Sequence, residues 1–176
     1  MAQPLASVSA AAQQKSYVTY TAPDLDINAA RVTLLEAPSL LASSGTTGFR
    51  TWEAALFLGA FLASDHGRNL ILGEDIIELG AGTGFLSILC AKHLGARYVL
   101  ATDGSREVVT NIKTNLELNK LDESEIVQTD VLQWGHALVN GPADCRGVDR
   151  SYDLAIAADV VSVSSFSLHD YPSIPS

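Results

Sequence analysis

The hydrophobic and polar positions along this 176-residue chain divide it into two parts with different periods. In the first part, "SYVTYT" (16–21) and "RVTLLEA" (31–37) are rich in β-branched and aromatic residues and predict two strands. The stretch "TWEAALFLGAFLAS" (51–64) is apolar on nearly every side of a helical projection, so it predicts a buried helix. Gly59 in the middle of this helix predicts the close approach of a neighbouring element.

In the second part the period changes to alternating strands and helices. This alternation implies right-handed crossovers and a parallel sheet, and therefore an α/β fold. Ser105 stands where it can cap a helix predicted over 105–120. The pattern predicts strands at 76–79, 97–103, 125–130 and 152–161, and helices at 84–94 and 105–120.

Composition narrows the class of protein. The formal net charge is −9, from 11 basic and 20 acidic residues, and no run of Lys and Arg is present, which argues against a nucleic-acid-binding surface. The two cysteines, Cys90 and Cys145, have no metal-ligand spacing and are typical of a reducing compartment. The start "MAQPLASVSAAAQQ" lacks the features of a signal peptide, and the apolar run 54–63 is too short to span a bilayer. We expect a cytoplasmic protein without a membrane partner.

The stretch "IIELGAGTGFLSIL" (76–89) carries the chemistry, because a strand, a glycine-rich turn and a helix follow one another. Glycines at 80 and 82 let the backbone turn tightly and approach a ligand closely. The dinucleotide fingerprint would require its third glycine at position 85, where the chain has Phe85. The turn therefore favours a ligand with one nucleoside and no diphosphate. A nicotinamide-dependent oxidoreductase is disfavoured.

Asp103 supports a nucleoside ligand, because it ends the second strand of the alternating part, where a carboxylate can accept both ribose hydroxyls. The helix N-terminus near Gly84 adds free N–H groups. S-adenosylmethionine satisfies these requirements. A turn that serves only the packing of strand against helix is the alternative.

Four stretches give a family resemblance: "TGFRTWEAALFLGAFL", "IIELGAGTGFLSILCAKHLGA", "ATDGS" and "AADVV". Over residues 45 to 161 the chain resembles the seven-strand methyltransferases of the protein-lysine methyltransferase group. Within that group the likeness is strongest to eukaryotic enzymes that methylate translation elongation factor 2, and "TGFRTWEAAL" is its most specific piece. The resemblance implies a Rossmann-like α/β fold, S-adenosyl-L-methionine as cofactor and a protein substrate. It implies an N-terminal extension over 1–48, a partial methyltransferase domain over 49–161 and a divergent tail over 162–176.

The resemblance also assigns roles to the first half of the site. Trp52 would cover the methionine end of the cofactor, although its place on an apolar helix is also typical of a core residue. Glu78 would orient nearby groups. The turn beneath the cofactor would be formed by Gly80, Ala81, Gly82 and Gly84.

The second half of the site follows the remaining strands. By the same resemblance, Asp103 would hold the ribose, and Trp134 would pack near the adenine with Asp130 close to its exocyclic amine. Asp130 is equally compatible with a cap of the following segment. Ala158 would face the cofactor, and Asp159 would begin the D-x-x-Y motif of the family beside the substrate lysine, as the catalytic carboxylate.

The chain departs from the family pattern after Asp159. The sequence "DVVS" puts Ser162 in the tyrosine position, and the Ser-rich tail beyond it cannot supply about three further strands. We therefore expect a truncated chain whose parallel sheet is incomplete after its fourth strand, with that strand as an exposed apolar edge. A non-catalytic remnant that binds the cofactor or a partner is the alternative to an active enzyme.

Overall fold

The computed structural model describes residues 15–22, 30–37, 47–133 and 151–160. No helix in these four ranges is long and apolar enough to cross a membrane. Along the chain the elements are β1 (Ser16–Ala22), β2 (Ala30–Glu36), α1 (Glu53–Ala63), α2 (Asp65–Asn69), β3 (Asp75–Leu79), α3 (Phe85–Leu89) with a π-helical turn (Cys90–Leu94) after it, β4 (Tyr98–Asp103), α4 (Arg106–Leu118), β5 (Val127–Val131) and β6 (Leu154–Ala157).

Four of the strands form a parallel sheet in the order β5-β4-β3-β6. Counted from β3 this order is 3-2-1-4, which is the order that begins a Rossmann-like sheet. The predicted α/β fold with a parallel sheet is therefore confirmed. In such a sheet ligands bind beyond the carboxyl ends of the strands where the order reverses, which here lies between β3 and β6. β6 is the edge strand of the described sheet, and its Ala155 and Ala157 are exposed, as predicted.

The two predicted N-terminal strands are also confirmed, and they form an antiparallel pair of their own. In β2 alternate side chains are buried, from Ala30 through Val32 and Leu34 to Glu36. This alternation gives β2 one face towards the core, because successive side chains of a strand point to opposite faces. Glu36 is the polar member of that buried face.

The main core lies between the parallel sheet and α3 and α4. Cys90 is completely buried in it and packs among apolar side chains. The cap predicted at Ser105 is present, because its side chain accepts a hydrogen bond from the Val108 amide at 3.4 Å. The apolar face of α4 contributes Val108, Ile112 and Leu116.

The prediction that α1 is buried all round is wrong. Phe57 is 76% exposed and Phe61 47% exposed. The helix is buried on one side, where Gly59 faces α3 so closely that a Cβ on it would lie 2.7 Å from the Phe85 ring. The close approach expected at Gly59 is therefore present, while the apolar composition of the opposite side does not reflect burial.

Two further differences concern element boundaries. The polar connector after α1 contains α2, because the Ser64 side chain accepts a hydrogen bond from the Gly67 amide at 3.2 Å and caps a new helix. β6 is shorter than predicted, since Asp159 has a φ of 53° and cannot continue the extended chain. The predicted tail lies outside the described residues, and the three-part domain division stays a prediction.

Candidate functional site

The glycine turn after β3 adopts the backbone conformation that its sequence requires. Gly80, Gly82 and Gly84 have φ values of 67°, 54° and 81°, in the left-handed region that favours glycine. A Cβ at Gly80 would lie 2.7 Å from the Cγ1 atom of Val160. The Ala81 amide donates to the Thr102 carbonyl at 2.8 Å, which fixes the turn to β4. The turn thus stands at the reversal of strand order.

A cleft with an empty volume of about 320 Å³ opens at this turn. It combines residues that are far apart in sequence, from the segment before α1, the end of β3, the start of α3 and the end of β6. The residues predicted to bind a cofactor that line it are Trp52, Glu78, Gly80, Ala81, Gly82 and Ala158. Gly84 does not line the cleft but is the N-cap residue of α3, where an added Cβ would lie 2.9 Å from Ile112.

Trp52 forms one wall of the cleft and is not a core residue. It is half-buried and directly precedes α1. Its indole Nε1 donates to the Thr47 carbonyl at 3.1 Å, and the Arg50 guanidinium lies 4.9 Å from the ring centroid. These contacts hold the ring at the cleft, so the alternative of a core tryptophan is wrong.

Glu78 at the end of β3 also lines the cleft and is 3% exposed. It accepts hydrogen bonds from the Ser87 amide at 2.9 Å and from the Ser87 hydroxyl. Burial raises the pKa of Glu78 to about 7, although the bonds from Ser87 favour the charged form and the charge of Asp103 opposes it. Glu78 therefore ties the end of β3 to the first turn of α3.

Asp103 lies against the glycine turn at the end of β4. One carboxylate oxygen accepts from the Gly82 amide at 3.1 Å and the other from the Ser105 amide at 3.0 Å. Each oxygen of a carboxylate can accept two hydrogen bonds, so both keep acceptor capacity for a ligand. Asp130 is on the neighbouring strand at the same edge, and its Oδ1 accepts from the adjacent Val131 amide at 2.7 Å. Trp134 lies outside the described residues.

Asp159 follows β6 between two residues that reach the site. Ala158 lines the cleft, and Val160 packs over Gly80. Asp159 itself is exposed, with its positive φ directing the chain away from the strand. Non-glycine residues rarely adopt this conformation, although Asp tolerates it better than most, and such residues concentrate at functional sites.

A series of buried hydroxyl groups, not predicted from the sequence, connects the cleft to the antiparallel pair β1 and β2, here called the N-terminal hairpin. The Thr51 hydroxyl donates to the Glu36 carboxylate at 2.6 Å, and the Thr83 hydroxyl lies 2.6 Å from the Thr51 hydroxyl. Tyr20 also donates to Glu36, at 3.4 Å. Burial and the Glu36 carboxylate raise the pKa of Tyr20 to about 12, so the phenol stays protonated as a donor. In the sequence, Glu36 is a single acidic residue in a predicted strand, and nothing near it indicates these hydrogen bonds.

A second feature not predicted is an asparagine ladder, formed by Asn111, Asn115 and Asn119 at four-residue spacing on one face of α4 and its C-cap. Asn119 accepts from the Thr33 amide at 3.1 Å and donates to the Thr33 carbonyl at 2.7 Å. Asn111 donates to the Leu35 carbonyl at 3.2 Å. The ladder pairs with the backbone of β2 in the way that a further strand would. The spacing in "TNIKTNLELNK" is the signal by which it could have been found.

Comparison with known proteins indicates a family for the chain. The sequence matches the family described as lysine methyltransferase over residues 41–168. It is 46% identical over 162 residues to the protein-lysine N-methyltransferase EFM3 of Chaetomium thermophilum, covering 91% of this chain and 48% of that protein. To EFM3 of Saccharomyces cerevisiae it is 35% identical over 145 residues, covering 74% of this chain and 43% of that protein.

Among solved structures, protein arginine methyltransferase 10 of Arabidopsis thaliana is 22% identical with a TM-score of 0.38, covering 51% of this chain and 22% of that one. The chain spans about half the length of the curated relatives it matches. Because the family match covers most of the sequence, including the glycine turn and both strands that border the cleft, the chain belongs to the lysine methyltransferase family.

Proposed function

We propose that the chain is an S-adenosylmethionine-dependent protein-lysine N-methyltransferase. The observation that carries the proposal is the cleft that joins the Trp52 ring, the glycine turn and the end of β6 at the reversal of strand order. Family membership supplies the reaction class. Two relatives carry the name protein-lysine N-methyltransferase, which supports a lysine side chain of a protein as the acceptor.

The residues of the cleft fit S-adenosylmethionine. The cleft is lined by the Trp52 ring, by the backbone of Gly80, Ala81 and Gly82, and by Ala158. Phe85 stands where the dinucleotide fingerprint has its third glycine, which disfavours a dinucleotide as the ligand. When bound, S-adenosylmethionine supplies the methyl group on a sulfonium sulfur.

Each cofactor-binding residue has a distinct task in this proposal. Trp52 covers the methionine end, and the backbone of Gly80, Ala81 and Gly82 forms the floor. Asp103 uses its remaining lone pairs to accept hydrogen bonds from the ribose hydroxyls. Asp130 belongs to the adenine side, in keeping with the place of β5 next to β4. Trp134 is assigned to the same side by the family resemblance alone.

Asp159 is the proposed positioning carboxylate for the substrate lysine. Methyl transfer is an in-line displacement, so the protein mainly has to align a neutral amine with the methyl carbon. A lysine arrives protonated, with a reference pKa near 10.4, and a carboxylate at its ammonium holds it while the proton leaves to water. Asp159 is exposed, which gives a protein substrate access to it.

Translation elongation factor 2 is the proposed substrate, and the cytoplasm the proposed location. The substrate proposal is based on the resemblance carried by "TGFRTWEAAL". The net charge of −9 is compatible with a basic surface on the partner.

The experiment has a binding arm and a transfer arm. Calorimetry of the 176-residue chain should give saturable binding of S-adenosylmethionine and S-adenosylhomocysteine, and none of NAD. Mass spectrometry of purified elongation factor 2 should then detect methyllysine. Asp159→Asn should abolish transfer while S-adenosylhomocysteine binding is retained, and the matched control Asp122→Asn, in an exposed turn, should retain both. NAD binding without S-adenosylmethionine binding would refute the proposal that S-adenosylmethionine is the cofactor.

A second candidate is cofactor binding without turnover, and Ser162 in the tyrosine position favours it. The tyrosine of the D-x-x-Y motif would provide a cation–π contact to the lysine, which serine cannot replace. Binding of S-adenosylhomocysteine together with no methyllysine on elongation factor 2 would select this candidate. Restoration of transfer by Ser162→Tyr would then locate the defect.

A further inference from the structure

The two features that sequence reasoning missed meet at one residue of the glycine turn. Thr83 lies between Gly82 and Gly84 and is 2% exposed. We propose that Asn115 and Glu36 are positioning residues that fix the cofactor-binding turn through Thr83, so that the N-terminal hairpin is part of the cofactor site. The inference rests on the proposed function, since it assumes that this turn receives S-adenosylmethionine.

The first connection is made by the side chain of Asn115, which is completely buried. Its Nδ2 donates to the Thr83 carbonyl at 2.8 Å, and its Oδ1 accepts from the Leu35 amide of β2 at 2.7 Å. These two partners fix the orientation of the amide, because a carbonyl requires a donor and an N–H requires an acceptor. One side chain therefore joins the turn to the hairpin.

The second connection starts at the next residue of β2. Glu36 accepts from the Thr51 hydroxyl, whose single hydrogen is thereby used. The Thr83 hydroxyl, 2.6 Å from Thr51, must then be the donor in that pair. Glu36, Thr51 and Thr83 are each at most 5% exposed, so water cannot readily take over these bonds.

Thr83 is thus bonded at its carbonyl and at its hydroxyl, and both connections end at consecutive residues of β2. The residues on either side of Thr83 are left-handed glycines, which restrict their own conformation least of all residues. The bonds to Thr83 therefore select one conformation of the turn. Loss of either bond should leave the turn with several conformations and reduce the fraction that is ready for the cofactor.

The asparagine ladder provides a matched control. Asn119 contacts the same edge of β2 and forms more hydrogen bonds than Asn115, including bonds to Thr33, to the Asn115 carbonyl and from Lys92. Within the described part of the chain, its side chain forms no hydrogen bond to the turn. If the ladder served only to attach the hairpin, Asn119→Ala should be at least as harmful as Asn115→Ala in every measurement.

The test compares these two variants in the 176-residue chain, with S-adenosylhomocysteine as the probe. We expect Asn115→Ala to raise the dissociation constant about tenfold more than Asn119→Ala, as for the loss of one well-formed buried hydrogen bond. Urea unfolding measures the stability of each variant separately. Equal dissociation constants would overturn the inference.

Hydrogen exchange of the ligand-free protein provides a readout that does not depend on binding. The amides of Gly82 and Gly84 should exchange faster in Asn115→Ala than in Asn119→Ala, and unchanged exchange would overturn the inference. If the parent chain binds no S-adenosylhomocysteine, the proposed function fails and the role in cofactor binding fails with it, while exchange still decides whether Thr83 is held.

Glu36 supplies a second pair of variants in case Asn115→Ala does not fold. Glu36→Gln keeps an acceptor for Thr51, whereas Glu36→Leu removes it at similar size. We expect Glu36→Leu to weaken S-adenosylhomocysteine binding and speed exchange at the turn, and Glu36→Gln to restore both towards the parent. The same weakening in both variants, or none in either, would contradict the hydroxyl connection.

Discussion

Glu78 makes the stability of this protein depend on pH in a direction opposite to that of most carboxylates. Its pKa is raised from 4.5 to about 7 in the folded chain, mainly because the side chain is completely removed from water. Below the unfolded pKa both states hold the proton, and burial of the charge costs nothing. Between the unfolded pKa and the folded pKa, the unfolded state has released its proton while the folded state still holds it, so stability falls as the pH rises and the loss is complete above the folded pKa.

The perturbation is Glu78→Gln, which keeps an acceptor for the Ser87 amide but cannot ionise. At about 1.4 kcal/mol per pH unit, a pKa raised from 4.5 to about 7 corresponds to roughly 3 kcal/mol in the fully ionised state. Between pH 5 and pH 8, the unfolding free energy of the parent should therefore fall by roughly 2 to 3 kcal/mol relative to that of the variant.

Urea denaturation at several pH values between 5 and 8 measures this difference. Glu123→Gln is the matched control, because Glu123 is exposed and its removal should leave the parent's pH dependence intact. A parent and a Glu78→Gln variant with parallel profiles would refute the raised pKa and the burial on which it depends.

Two further predictions concern the turn. Asp103→Asn should weaken S-adenosylhomocysteine binding by about 1.5 to 3 kcal/mol, because charge-assisted hydrogen bonds are lost, and calorimetry with Asp122→Asn as the control tests this. An unchanged affinity in the folded Asp103 variant would remove this carboxylate from the site. Gly73→Ala should cost about 1 to 2 kcal/mol for its φ of 79° alone, since nothing lies within 4 Å of the added methyl group. Gly80→Ala should cost about 1 to 3 kcal/mol more in urea unfolding, because its methyl group would also meet Val160 at 2.7 Å, and equal losses would contradict that contact.

The elements that local patterns dictate were predictable from the sequence. The strand pair at the N-terminus, the alternation of strands and helices, and the cap at Ser105 all follow from periodicity and side-chain chemistry over a few residues. The parallel sheet follows from that alternation, because short connections require crossovers of one hand. The glycine turn was also predictable from local sequence. Its three left-handed residues stand at alternate positions, 80, 82 and 84, and glycine is the residue that adopts this conformation most readily.

What could not be predicted depends on contacts between distant segments. The exposure of Phe57 depends on which side of α1 faces α3, and an all-apolar helix does not encode that choice. Glu36 reads as an isolated acid in a strand until Thr51 and Tyr20 are placed around it. The four-residue spacing of the asparagines places them on one face of α4, but it does not indicate their partner, because the backbone of β2 lies 76 to 86 residues away in the sequence.

The asparagine ladder also has a consequence for how the chain is made. The residues that it joins are 76 to 86 positions apart, so β2 leaves the ribosome long before its partner helix exists. At about 5 to 20 residues per second, the delay is roughly 4 to 16 seconds. Throughout that interval α4 is absent, and the backbone groups of Thr33 and Leu35 on the edge of β2 lack their asparagine partners. The nascent chain must keep that edge from foreign strands until synthesis has passed Asn119.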